Sequence, residues 1–255
     1  PVVNPDTDNT LRHLFLPFNH DSDQGCSIEV RKADYTQSTF IMHTNWQIAT
    51  NLMLKDDVLS VIMRANEKYL LYQYDVQNLP EHEMFEMPDL PFSADLLSAL
   101  QADINGDGAD DYVVTTSDSL LYVFHQDAAL FSGYPVEIPL AALSVPTIAD
   151  VDGNGQLDIL IGGENNFAIF NANGSLWAPH QAMTMPDTLG IASGVMAADL
   201  DGDGQCEIFG EMSRNRFGIW HSTSGNTWEM QRYYPVSFSE RALSLPALAS
   251  YQDDP

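Results

Sequence analysis

The sequence predicts an all-β chain, a β-propeller built of four-stranded blades of about 48 residues, as about five units or as part of a larger ring. Three observations predict it. An acidic, glycine-rich loop occurs three times at near-constant spacing. Short runs rich in Val, Ile and aromatic residues follow each copy, and clusters of Gly, Asn and Ser separate those runs.

The loops align without gaps as residues 103–111 (DINGDGADD), 150–158 (DVDGNGQLD) and 199–207 (DLDGDGQCE), spaced by 47 and 49 residues. A small-residue run precedes the second and third, Ser144–Ala149 and Ser193–Ala198, and recurs at Ser244–Ala249. A first strand run follows each loop: Tyr112–Thr116, Ile159–Gly163 and Ile208–Met212. A second run, Leu120–Phe124, Phe167–Phe170 and Phe217–Trp220, comes after a turn, and a weaker one lies near Leu130, Leu176 and Thr227. Runs of four to six such residues between turn clusters are too short for helices and suit strands.

In chain order, residues 1–45 hold strand-like runs (Leu14–Phe18, Ser27–Arg31, Thr39–His43) and form a partial or degenerate blade. Residues 46–102 form a degenerate blade with strands at Val58–Met63 and Tyr69–Tyr74. Thr50, Leu52 and Leu54 replace its acids, so it carries no metal site. Three loop-bearing blades follow at 103–149, 150–198 and 199–249, and residues 250–255 begin a truncated unit.

Charge narrows the partners. Thirty-six acidic against ten basic side chains give a net charge of −26, and the three lysines do not cluster. No general basic surface exists to hold nucleic-acid phosphate or anionic lipid. With 44% hydrophobic and 10% aromatic residues the chain still has ample core material, so acidity does not mean disorder. No apolar run reaches the roughly 18 residues of a membrane helix, so no membrane insertion is expected. The chain opens on Pro1 without a secretion signal and reads as a trimmed piece, with flanking domains of a longer protein expected. Two cysteines make no disulfide framework; whether Cys26 and Cys206 pair is open, and the register of Cys206 with Leu157 suggests a small buried thiol.

Each loop places an oxygen-bearing side chain at positions one, three, five and nine, with Gly at four and six. Glycines let the backbone coil through φ > 0, so alternate side chains converge on one point. A hard cation with six to eight oxygen ligands suits that convergence. Position seven (Ala109, Gln156, Gln205) would add its backbone carbonyl, for which side-chain identity matters little. An EF-hand also begins D-x-[DN]-x-[DN]-G but needs Glu at position twelve and flanking helices. Here position twelve is Val114, Ile161 or Gly210, and strand-type runs flank every loop. A plain Asn-Gly or Asp-Gly hairpin turn would not need three or four converging acids, which repel at such range.

With these flanks, the loops resemble the FG-GAP/VCBS repeat family, the calcium-loop repeats of integrin-α-like propellers, and are closer to bacterial secreted versions in which Gly-Tyr-Pro (Gly133–Pro135) precedes the next strand. The resemblance covers residues about 92–255 and reaches 46–91 as a degenerate blade. It implies Ca²⁺ ligands at Asp103, Asn105, Asp107, Ala109 and Asp111; at Asp150, Asp152, Asn154, Gln156 and Asp158; and at Asp199, Asp201, Asp203, Gln205 and Glu207, with position seven acting through its carbonyl. No Phe-Gly…Gly-Ala-Pro string is present, so an integrin-like ligand face is not implied. Up to three structural Ca²⁺ sites are expected. The third, with four carboxylates against three, is expected to bind tightest.

No nucleophile elbow, zinc-protease helix, Cys-x-x-Cys or phosphate-cradling loop is present. His125 and His221 occupy matching places after the second run and read as polar turn-starters. Acid pairs such as Asp56–Asp57 or Glu81, Glu83 and Glu86 read as solvated surface, and Trp177, Trp220 and Trp228 as inter-sheet core. Asn173–Ser175 fits a glycosylation sequon but is explained by a tight turn. The expected function is a non-enzymatic, calcium-stabilised recognition or scaffold module, extracellular, at the cell surface or periplasmic, with a protein or carbohydrate partner. The alternatives are a polysaccharide lyase or glycoside hydrolase, whose chemistry needs only two carboxylates, and a fragment of a larger adhesin or toxin propeller.

Overall fold

The computed structural model of the chain describes residues 2–3, 13–20, 25–32, 38–140, 144–163, 166–177, 191–212, 216–223 and 227–235. The expected truncated unit at 250–255 and the run Ser244–Ala249 lie outside the described residues.

The described residues form antiparallel sheets in which strands succeed one another in chain order. Sheet 1 holds β1 (Val2–Val3), β2 (His13–Asn19), β3 (Cys26–Lys32) and β4 (Ser38–His43). Sheet 2 holds β5 (Gln47–Ile48), β6 (Met53–Lys55), β7 (Val58–Ala65), β8 (Lys68–Asp75) and β9 (His82–Glu86), with β5 and β6 sharing one side of β7. Sheet 3 comprises β10 (Leu96–Ala102), β11 (Asp111–Thr116), β12 (Leu120–Phe124) and β13 (Val136–Glu137). Sheet 4 comprises β14 (Thr147–Ala149), β15 (Asp158–Gly162) and β16 (Phe167–Phe170), extended by a bridge from Phe170 to Leu176. Sheet 5 comprises β17 (Ile191–Ala198), β18 (Glu207–Met212), β19 (Arg216–Thr223) and β20 (Thr227–Pro235). The fold is all-β with blade-type meanders, as expected. Each acidic loop lies inside a sheet, between its first and second long strands, so a hydrogen-bonded sheet begins one strand before its loop.

Period-two patterning explains the packing. Along β7, Leu59, Val61 and Met63 face sheet 1 while Ile62 faces sheet 3, and on β8 Leu70, Tyr72 and Tyr74 alternate likewise with Tyr69 and Leu71. A central strand buried on both faces therefore reads as a continuous apolar run. The Asp56–Asp57 pair is the tip of the β6–β7 hairpin, with φ of 48° and 63°, a turn that a short polar side chain tolerates.

The chain divides into two compact units, residues 1–102 with 108–135, and residues 103–107 with 136–255. In the first unit, one core joins sheets 1 and 2 (Phe15, Ile28, Leu59, Tyr74) and a second joins sheets 2 and 3 (Ile62, Tyr69, Tyr112, Phe124). In the second unit, Val151, Leu160, Phe167 and Ile169 pack with Val195, Ile208 and Trp220, joining sheets 4 and 5.

Candidate metal centre

Each loop is organised by its own side chains. In the second, Asp150 accepts from the N–H groups of Asn154 (3.0 Å) and Gly155 (2.8 Å), and Asp152 accepts from Asn154 at 3.1 Å. The third repeats this: Asp199 accepts from Gly202 at 2.6 Å and Gly204 at 3.0 Å, and Asp201 from Asp203 at 3.2 Å. In the first, Asp103 accepts from Gly106 at 2.8 Å and Asp107 at 3.1 Å. The glycines at positions four and six all have φ between 70° and 92°, the left-handed turn expected of them.

The position-nine acids begin the following strands and are buried: Asp111 is 1% exposed, Asp158 2% and Glu207 3%. In the second and third loops one oxygen of this acid bonds back to the loop's second residue. Asp158 Oδ2 accepts from Val151 N at 3.1 Å, and Glu207 Oε2 from Leu200 N at 2.8 Å.

Convergence follows. Ligand atoms of Asp150, Asp152 and Asp158 lie within 4.8 Å of one another, as do those of Asp199, Asp201 and Asp203. A further group at the same spacing joins Asp201, Glu207 and His221. The first loop, whose position three is Asn105, shows no such carboxylate triple among the described residues. Asn105 instead donates to Asp107 at 2.9 Å. At position eight of that loop, Asp110 pairs with the Lys55 ammonium and accepts from Gln101 at 3.0 Å. Gln156 N donates to Asn154 at 2.7 Å and Gln205 N to Asp203 at 2.8 Å.

Burial, more than its neighbours Asp152 and Asp150, pushes Asp158 up to about 6, against the pull of the Val151 N–H. Three carboxylates brought so close, with one buried, are a poor arrangement for bare charge and a good one for a divalent cation. The all-oxygen donor set of the second loop fits Ca²⁺.

Sequence reasoning missed the histidines. His221 lies within β19, not at a turn, and its Nδ1 is 2.9 Å from Glu207 Oε1. That hydrogen bond, opposed by desolvation and helped by the charges of Glu207, Asp203 and Asp201, raises its pKa. His125 does start a turn, but its Nδ1 also lies 3.5 Å from Asp111 Oδ1. The signal was the ladder register: Tyr112 pairs with Phe124 and Ile208 with Trp220, so the next residues out, acid and histidine, face each other. Cys206 is half-buried, not buried, and both cysteines are free.

Residues 103–161 and 150–210 match the family model of the FG-GAP-like repeat. No curated protein matches the sequence. Among solved structures, a chain of the mitotic checkpoint complex is 12% identical with a TM-score of 0.58, covering 95% of this chain and 66% of that one. The V. cholerae biofilm matrix protein Bap1 is 14% identical with a TM-score of 0.52, covering 91% of this chain and 38% of that one. The Dos1 propeller is 10% identical with a TM-score of 0.52, covering 92% of this chain and 70% of that one. These likenesses are of fold, which in the Dos1 structure is that of a propeller.

Proposed function

We propose, from the premise that residues 103–210 are FG-GAP-like repeats, that the chain is a calcium-stabilised propeller module acting outside the cytoplasm in recognition or as a scaffold. The convergence of Asp150, Asp152 and Asp158 within 4.8 Å supports this reading above all. Asp150, Asp152, Asn154, Gln156 and Asp158 would hold one ion, and Asp199, Asp201, Asp203, Gln205 and Glu207 another. Asp103, Asn105, Asp107, Ala109 and Asp111 would form the weakest site, since this loop shows no carboxylate triple among the described residues and Lys55 and Gln101 already engage its Asp110. A bound ion supplies charge compensation; the protein's groups coil each loop and hold its position-nine acid beneath it.

Sites of this kind with Kd near 0.1–1 mM fill at extracellular calcium and stay empty at resting cytoplasmic levels, which is why the module is placed outside the cytoplasm. At about 1 mM calcium a Kd near 0.1 mM contributes roughly 1.4 kcal/mol per site. The partner is a protein or a carbohydrate, and the chain performs no chemistry on it. Calorimetric titration with calcium tests the metal reading: saturable binding is expected, lost from one site in Asp158→Asn and from another in Asp201→Asn. Absence of binding up to about 10 mM, ten times the weak end of the expected range, would reject it.

A further inference from the structure

The second and third loops are built into one another. Cys206, position eight of the third loop, donates its backbone N–H to Val151 O at 3.0 Å. Its thiol lies 3.2 Å from Asp150 O, the first residue of the second loop. Nearer the tips, a Cβ added to Gly153 would stand 2.0 Å from Gly204 O, so the two backbones approach as closely as glycine allows. Val151 carries the connection. Its N–H holds Asp158, a ligand position of the second loop, and its C=O holds Cys206, the residue before Glu207 in the third. Its side chain is 1% exposed and packs with Val195, Ile208 and Trp220 of sheet 5.

We propose that the second and third loops bind their cations cooperatively, filling of either raising the affinity of the other. The inference rests on the calcium reading above and deepens it. A cation drawing Asp150, Asp152 and Asp158 together fixes the Val151 peptide at both ends. The fixed carbonyls of Val151 and Asp150 in turn order Cys206 and hence Glu207 for the second ion. Ordering already accomplished by the first ion need not be repeated for the second, and linkage makes the effect reciprocal. Coulomb repulsion between the two ions opposes this. Both loops are solvent-exposed at their tips, where salt screens that repulsion, whereas the hydrogen bonds at their bases are short-range and survive it.

The test follows each loop separately through the amide resonances of Gly155 and Gly204 during a calcium titration of the full chain in about 0.5 M KCl, where the Debye length is well under 8 Å. Wild-type curves are expected to be steeper than a simple isotherm, with Hill coefficients above about 1.3. Asp152→Asn, which removes a ligand of the second loop, is expected to weaken binding at Gly204 by about fivefold or more. Asp203→Asn should weaken binding at Gly155 by the same factor. Unchanged far-UV circular dichroism at saturating calcium separates lost coupling from misfolding. If each variant leaves the other loop's affinity within about twofold, or the wild-type coefficients fall at or below 1, coupling is overturned while calcium binding stands. If neither resonance responds to calcium in the wild type, the calcium reading itself falls and the coupling with it.

Discussion

Tyr112 shows how single polar atoms tie adjacent sheets together. Its side chain is 1% exposed, yet its hydroxyl meets Ser60 Oγ and Gln73 Nε2, each at 2.9 Å. Burial first, then the nearby charge of Asp110, keeps this phenol protonated against the lowering effect of those two hydrogen bonds. Tyr112→Phe keeps the ring and removes the oxygen. Gln73 retains Gln126 O at 3.0 Å, whereas Ser60 loses the partner it has here. A loss of about 1–2 kcal/mol is therefore expected, seen as a lower urea midpoint at unchanged slope. A loss below about 0.3 kcal/mol would mean that water replaces the phenol without cost. The tyrosine reads in the sequence only as an apolar strand residue; its partners Gln73 and Ser60 come from sheet 2, 39 and 52 positions away. The loop glycines, by contrast, were readable, because a positive φ is a local demand.

At the scale of elements, two asparagines act as clasps between sheets. Asn19 at the end of β2 donates to Ile48 O at 2.9 Å and accepts from Ile48 N at 2.7 Å. Asn51 makes the same pair with Ala99 of β10, at 3.0 and 3.2 Å. An amide side chain thus continues a backbone ladder from one sheet to the next. Asn51→Asp, which keeps the acceptor and replaces the donor by a charge facing a carbonyl, is expected to destabilise by about 1–3 kcal/mol. Equal denaturation midpoints would show the clasp to be idle.

β4, β8 and β9 meet at a second seam. His43, cross-strand from Cys26, touches the Tyr74 hydroxyl, stands edge-on to Tyr72 with centroids 4.7 Å apart, and faces His82 at 6.2 Å. Burial chiefly, and the charge of His82 next, lower the pKa of His43. Its folded pKa then lies below its unfolded value, so the unfolded chain takes up more protons as pH falls through about 6.5. Stability should fall on acidification below that point and level off once the folded-state pKa is passed. His43→Gln should remove that portion of the pH dependence, and parallel stability profiles for the two proteins between pH 7 and 5 would contradict the assignment. β4 and β8 were legible as runs of strand-forming residues, Thr39–His43 and Tyr69–Tyr74, whereas β9, with its three acids nearby, was read only as solvated surface. The seam itself was not legible, because which faces meet depends on the order of sheets, a property of the packed chain.

Over the whole chain, a net charge of −26 opposes folding, and the acids divide into dispersed surface groups and those gathered in loops. The gathered ones were legible because their spacing is local and repeated three times. Their unequal surroundings were not, since Lys55 reaches Asp110 from 55 positions away and the second and third loops touch only after folding. The two sets respond differently to salt. Dispersed charge is screened by any electrolyte according to ionic strength alone, whereas convergent carboxylates discriminate by ion size and ligand number. At matched ionic strength, about 1 mM calcium is therefore expected to stabilise well beyond sodium. Two sites filled near 0.1 mM give about 3 kcal/mol, or a rise in Tm of roughly 6–12 °C for a chain of this length. Magnesium should give a smaller rise, because it dehydrates reluctantly and demands a near-ideal octahedron of short bonds. Melting curves in the three chlorides decide the matter: coincident curves would assign all the stabilisation to general screening and leave the loops as turns.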